Sequence, residues 1–231
     1  MCRTRLEIIQ LGTKMIIEEG YSKTSALALS QNLGISTGNL TFHFPTKEHL
    51  LLELVKYMGN FHQQCIEERR AQGFDEIHAY CWEVASQIAL CEGHEQAKDF
   101  YVSSYSHPMT LDYIKEWTVQ KNIALFSNRL PEWSRQQFEN LEHITTGIEY
   151  AALLAPCSEN FTLRDKISLT LDSLLRLYDV GVEERERAIR ESLTVNYLDA
   201  GNEILKNFTT YVERLTQEAL DQNSPNVRCP L

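Results

Sequence analysis

The sequence predicts an all-α protein, on three observations. Apolar residues recur at spacings of three and four along nearly all of its 231 residues, the period that gathers them on one face of a helix. No stretch sustains the apolar and polar alternation, rich in β-branched residues, that a half-buried strand requires. Gly20, Gly34, Pro45, Gly73, Gly93, Pro108, Pro131, Pro156 and Gly181 punctuate the chain at intervals suited to helices of roughly 8 to 25 residues.

Composition narrows the class. A content of 43% hydrophobic and 23% charged residues is that of a globular chain able to bury a sizeable helical core. No apolar run approaches the roughly 20 residues that span a bilayer, and Met1 to Arg5 lacks the apolar core of a secretory signal. A cytoplasmic location and no membrane partner are therefore expected. Cys2, Cys65, Cys81, Cys91, Cys157 and Cys229 contain no C-x-x-C pair and are expected to be free, mostly buried thiols. The run Cys91-x-x-His94-Glu95 brings only one cysteine and one histidine together, so it reads as a helix end at Gly93, with no metal and no cofactor implied. His78 and His143 are expected to be partly buried helix histidines.

The net charge of −10 opposes nucleic-acid binding by the chain as a whole, since that binding draws on a basic face. Its distribution changes the reading. Residues 1 to 58 carry six basic residues (Arg3, Arg5, Lys14, Lys23, Lys47, Lys56) against five glutamates, so the first quarter is at +1 and the remainder at −11.

The first helix, from about Thr4 to Glu19, sets Ile9, Gly12 and Ile16 on one face; Gly12 weakens a helix and so marks a close approach by another. Ser25 caps a second, short helix with Leu29, Ser30 and Leu33 inward, which Gly34 ends through a left-handed turn. Ser36 caps a third. Asn39 is its third residue, and Leu40 and Phe44 return to the core at i, i+4. Thr37, Gly38, Asn39, Thr41 and His43 are left for a partner. Two short helices joined by a tight glycine turn, the second with a small polar outer face, have the build of a helix-turn-helix that offers its N-terminal residues to a major groove. A plain three-helix packing motif would share the Leu and Gly positions. Thr46 is the expected N-cap of the fourth helix, with His49 at its third residue in place of the Glu of a capping box.

The runs Ile8-Ile9-Gln10-Leu11-Gly12, Glu19-Gly20-Tyr21, Thr24-Ser25, Leu33-Gly34-Ile35-Ser36, Gly38-Asn39-Leu40 and Phe42-His43-Phe44-Pro45-Thr46-Lys47-Glu48-His49-Leu50 together resemble the N-terminal DNA-binding domain of the tetracycline-repressor (TetR) family. The resemblance covers about the first 55 residues, in order and without gaps. It implies that Thr37, Gly38 and Asn39 meet base edges, that Thr24 and His43 lie near the sugar-phosphate backbone, and that Lys47 touches a phosphate, with Ser36, Thr41 and Phe42 on the same surface. Two of these agree with elementary chemistry: Asn can bond an adenine edge bidentately, and Lys47 adds charge to a helix N-terminus that already favours an anion. The chain departs from the family in having Thr41 where a tyrosine is usual and Phe42 where an aromatic with a polar handle is common. A missing tyrosine hydroxyl removes one phosphate contact per subunit.

The resemblance further implies a homodimer on double-stranded operator DNA and a C-terminal domain for a small-molecule effector of unknown identity. The expected division is 1–48 for the DNA-binding domain, with the fourth helix from 46 as the link, 49–221 for the effector-binding and dimerisation domain, and 222–231 as a flexible tail. For the dimer contact, Gly147, Ala151 and Ala155 form a small-residue stripe and Ile167, Leu171, Leu174 and Tyr178 an apolar stripe on the next helix; both could equally face the monomer core. For the effector, aromatic and hydrogen-bonding side chains mix at Tyr80, Trp82, Gln87, Phe100, Tyr101, Tyr105, His107, Tyr113, Trp117 and Phe126. From Val182 to Asp221 the stripe Ile204, Phe208, Tyr211 and Leu215 predicts further helices, which could cover the pocket, extend the dimer or simply pack on the body. No nucleophile elbow, phosphate loop, dinucleotide fingerprint or H-E-x-x-H occurs, so an enzyme is not expected. Repression is the family's usual sign. The alternative is a degenerate helix-turn-helix protein acting as a helical protein-interaction module.

Overall fold

The apolar periodicity becomes eleven helices in the computed structural model, which describes residues 3–222: α1 (Arg3–Glu19), α2 (Ala26–Leu33), α3 (Thr37–His43), α4 (Lys47–Ala71), α5 (Glu76–Gly93), α6 (Glu95–Ser106), α7 (Pro108–Phe126), α8 (Arg135–Leu154), α9 (Leu163–Leu177), α10 (Val182–Ser192) and α11 (Tyr197–Gln222). Among the described residues there is no strand beyond a single isolated bridge, Ser158 to Phe161. None of these helices is long and apolar enough to cross a membrane.

The first three helices form as their local signals require. Ser25 Oγ accepts the Ala28 N–H and Ser36 Oγ the Asn39 N–H, both at 3.1 Å, satisfying donors that a helix start leaves free. Gly34 sits at φ +65°, a conformation costly for any residue with a Cβ, and this lets the chain turn within three residues from α2 into α3. Leu29, Leu40 and Phe44 are all buried beneath that turn. On α1, Gly12 does admit another helix: a Cβ there would stand 3.1 Å from Leu50 Cδ2 on α4. Arg5 then locks the end of α3. Its guanidinium lies 4.3 Å over the Phe44 ring, donates to the His43 carbonyl at 2.9 Å and pairs with Glu53 of α4 at 2.9 Å.

The body is arranged around α5, which packs against α4 and against each of α6 to α11. Being enclosed, α5 is buried on most sides, with Ile77, Ala79, Tyr80, Cys81, Val84, Ala85, Ile88 and Ala89 in the core and Glu83 and Ser86 buried among them. An aromatic cluster fixes its middle: Phe126 stacks on Tyr178 at 4.5 Å between ring centres, and Tyr80 meets both edge-on. The Tyr178 hydroxyl accepts from Asn122 at 2.6 Å, so its polar end is satisfied inside the core.

Several expectations are corrected here. Ile167, Leu171, Leu174 and Tyr178, assigned above to a dimer contact, are at most 1% exposed and face the protein's own core. A stripe pattern reports that a face is buried, and here α5 and α8 bury it. His143 is exposed, whereas His78 is half-buried and bridges Asp75 and Glu191, each at 2.7 Å. On α11 the buried line is Ile204, Phe208, Val212 and Thr216, with Tyr211 and Leu215 on its flank. That line packs on α5 and α1, so the last helix braces the first. Gln222 still belongs to α11; residues 223–231 of the expected tail, and Cys2 and Cys229, lie outside the described residues. Cys65, Cys81, Cys91 and Cys157 are free thiols, Cys81 and Cys91 buried.

Candidate nucleic-acid interface and ligand cavity

Helix α3 is held from behind and open in front. Leu40 and Phe44 anchor it, while Ser36, Thr37, Gly38, Thr41 and Phe42 are exposed and Asn39 and His43 half-buried. Among the described residues the Asn39 side-chain amide makes no hydrogen bond within the protein, so both its donor and its acceptor remain open to a partner. Thr41 instead turns its hydroxyl to the Gly38 carbonyl at 3.1 Å. Phe42 is 69% exposed, its ring edge-on to His43 at 5.1 Å. Burial, and next the Arg5 charge, hold the His43 imidazole below its ordinary value, so it is neutral at pH 7.

Thr24, expected near the sugar-phosphate backbone, does not offer its side chain to a partner. It is buried, and its hydroxyl donates to the Gly20 carbonyl at 2.9 Å, closing the turn after α1. Its exposed neighbours are Ser22, Lys23 and Ser25. Lys23, counted above only for its charge, is the exposed basic residue of this turn, two positions before the Ser25 cap of α2. Lys47 opens α4 as expected, behind Thr46, whose hydroxyl bonds the His49 ring at 3.0 Å and leaves the backbone donors there unclaimed by that side chain. Its ammonium lies 4.0 Å over the Tyr21 ring and 3.5 Å from the Ser22 carbonyl, and burial lowers its pKa despite Asp99 and Glu48 nearby.

The second feature is a cavity of about 60 Å³ between α4, α5, α6, α7 and α8. Six of the ten expected effector residues meet on its wall: Gln87, Phe100, Tyr101, Tyr105, Tyr113 and Trp117. The other four do not. Tyr80 and Phe126 belong to the aromatic core, Trp82 lies under Arg69 on a groove lined by α4, α5 and α11, and His107 caps α7 with its ring against Tyr21. An aromatic residue in a helix looks the same in sequence whether it fills a core or lines a void.

The polar wall was not foreseen. Lys121 and Glu83 pair at 2.5 Å, both buried, with His62 Nδ1 3.5 Å from the same carboxylate and the Tyr101 hydroxyl 3.1 Å from His62 Nε2. Burial alone would raise Glu83; Lys121 and His62 outweigh it and bring the pKa down to about 2. Glu149 accepts the Tyr105 hydroxyl at 3.0 Å. Behind it on α8, Glu142 accepts the hydroxyls of Thr145 and Thr146 at 3.0 and 2.7 Å. Burial, and next the Glu149 charge, push Glu142 up to about 8. His62, Glu83, Lys121 and Glu149 stand on four different helices, so no spacing in the sequence links them. Gly59 shapes the cavity: a Cβ there would come within 3.2 Å of the Trp117 ring, and its absence lets α7 lie close on α4. Among the described residues no group of three metal-ligating side chains occurs.

Compared with known proteins, residues 8–54 match the family model described as bacterial regulatory proteins, tetR family. That span runs from the first core residues of α1 through α2, α3 and the first turns of α4. A search of curated proteins finds no match to the chain.

Proposed function

We propose that this chain, whose residues 8–54 carry the DNA-binding domain of the tetR family of bacterial regulatory proteins, is a cytoplasmic repressor that holds operator DNA as a homodimer and is released by a small molecule. The observation that carries the reading is the outer face of α3, where an unpaired Asn39 amide and exposed Thr37, Gly38 and Phe42 stand on a helix fixed from behind by Leu40, Phe44 and Arg5. Asn39 reads an adenine edge, Thr37 and Gly38 allow close approach, and the Phe42 ring packs on a thymine methyl or a sugar. Lys23 and the N-terminus of α4 with Lys47 take phosphates, with Lys23 in the place expected of Thr24.

A dimer supplies the second reading head, about 34 to 36 Å away for successive major grooves. The face that supports it is the exposed side of α8, where Ile144, Gly147, Ala151 and Leu154 follow at i, i+3, i+7 and i+10, continued by Leu169 on α9. Ile144 and Leu169 are 58% and 60% exposed, and Gly147 has open space around it. Such a two-helix face suits a four-helix contact with its own copy. The cavity is the effector site, since α4 both walls it through Met58, Gly59 and His62 and begins at Lys47.

The test is fluorescence anisotropy of the purified protein on its own upstream region and on a scrambled duplex, at two salt concentrations, with Asn39→Ala alongside. Selective, salt-sensitive binding that Asn39→Ala loses is expected. Equal binding to both duplexes would overturn the reading in favour of a helical protein-interaction module.

A further inference from the structure

We propose that the cavity receives an organic cation, an amine or ammonium group on a flat apolar body, with its charge beside Glu149 and its body against Tyr105, Tyr113 and Trp117. The inference rests on reading this cavity as the effector site and adds the class of molecule that its charges and rings suit; at about 60 Å³ the cavity has to widen to admit it.

The charges decide the class. The wall and its backing hold three carboxylates, Glu83 on α5 and Glu142 and Glu149 on α8, against one lysine, Lys121 on α7. Lys121 is already spent, paired with Glu83 at 2.5 Å. Glu149 borders the open space with one hydrogen bond, from Tyr105, and among the described residues no basic side chain lies within ion-pair distance of it. Glu142, two helical turns earlier on the same face, receives only threonine hydroxyls. A carboxylate facing an apolar space with no ion-pair partner of its own is the group a cation relieves, and an anionic ligand would meet repulsion from it. The rings complete the fit. Aromatic faces attract positive charge, and Trp117 already accepts one, with Lys121 Nζ 5.0 Å from its ring centre. Tyr105, stacked on Tyr150 at 5.8 Å, has its plane and hydroxyl both fixed beside Glu149.

Proton release follows from the same groups. Facing Glu142 and Glu149 are Tyr105 of α6, Lys121 of α7, Glu83 and Tyr80 of α5, His62 of α4 and Tyr178 just after α9. Burial raises both carboxyls, and Lys121 only partly offsets it for Glu149, so at neutral pH the two hold a proton that an entering cation expels. The cation takes over the charge compensation, and the proton leaves to solvent.

Calorimetric titration of the full chain with 4-phenylbutylamine, 4-phenyl-1-butanol and 4-phenylbutanoate separates charge from shape. The amine is expected to bind about tenfold more tightly than the alcohol, and the carboxylate more weakly than both. Glu149→Gln is expected to abolish the advantage of the amine over the alcohol. In the unaltered protein, titrations in buffers of different ionisation enthalpy at pH 7 are expected to show proton release with the amine alone. Glu142→Gln, which leaves the cavity wall intact, is expected to remove that release. Tighter binding of the alcohol or the carboxylate overturns the cation and leaves the cavity as an effector site of another class. Absence of binding by all three overturns the inference and the effector reading together, while operator binding remains testable by itself.

Discussion

The Asp99 carboxylate on α6 holds Ser22 with both oxygens: Oδ2 accepts the backbone N–H at 2.7 Å and Oδ1 the hydroxyl at 2.5 Å. Ser22 lies in the turn that closes α1 and leads into α2, next to Tyr21, on whose ring Lys47 rests. The next residues of α6, Phe100, Tyr101, Ser104 and Tyr105, are cavity wall. One short helix therefore has a cavity-facing half and a grip on the turn between α1 and α2. Under the proposed function, a shift of α6 at the cavity would be passed to that turn through Asp99, a coupling that the Asp99 variant tests.

Asp99→Ala is expected to uncouple the two. Operator affinity without ligand should change less than with Asn39→Ala, while the weakening of operator binding by 4-phenylbutylamine, typically about 1 to 3 kcal/mol for such coupling, should largely disappear. Anisotropy with and without the amine measures both; an undiminished ligand effect in the variant would show that Asp99 is not the link.

Contacts to bases and to phosphates should separate by salt. Asn39→Ala is expected to cost about 1 to 3 kcal/mol per operator half-site and to relax selectivity. Lys23→Ala should weaken all duplexes alike and reduce the logarithmic salt slope by about 1 per subunit. Thr24→Val should leave DNA affinity almost unchanged but lower stability by about 1 kcal/mol, because it removes a buried hydrogen bond to Gly20. A Thr24→Val protein of native stability and poor DNA affinity would reverse these assignments.

The buried carboxyls give stability two opposite slopes in pH. Glu142 binds its proton more tightly folded, at about 8, than at its ordinary 4.5, so its contribution is full below 4.5 and lost as pH rises toward 8. Glu83, held near 2, contributes above 4.5 and loses this as pH falls toward 2. Thermal melts are expected to show Glu142→Gln flattening the upper slope and raising the Tm at pH 8. A variant that melts lower than the parent at pH 8 would rule out a strained carboxyl there.

The dimer face is tested by bulk. Replacing Gly147 and Ala151 together by Gln is expected to give a folded monomer in sedimentation, since both positions face away from the core. Leu171→Ala is the contrast: fully buried, it should lower stability by about 2 to 5 kcal/mol. A sedimenting dimer that survived the double change would place the contact elsewhere.

Local chemistry determined the features legible in the sequence alone. Ser25, Gly34 and Ser36 act on their own backbone within three or four residues, so the caps, the turn and the presentation of α3 follow from residue type and spacing. The all-helical class follows from the period of the apolar residues in the same way, and Gly12 announced its neighbour because a missing side chain has few other reasons to stand mid-helix. Which of two buried faces a stripe meets is a different kind of question. Ile167, Leu171 and Leu174 have the pattern of any buried helix face, and only the packing of α9 on α5 and α8 decides that this face is internal and that Leu169 is left outside. Thr24 was lost for a related reason: its hydroxyl had a nearer partner in Gly20, and that competition depends on how the turn closes. The cavity is the extreme case. His62, Glu83, Lys121 and Glu149 come from four helices, and their charges acquire meaning only when tertiary packing removes water from between them.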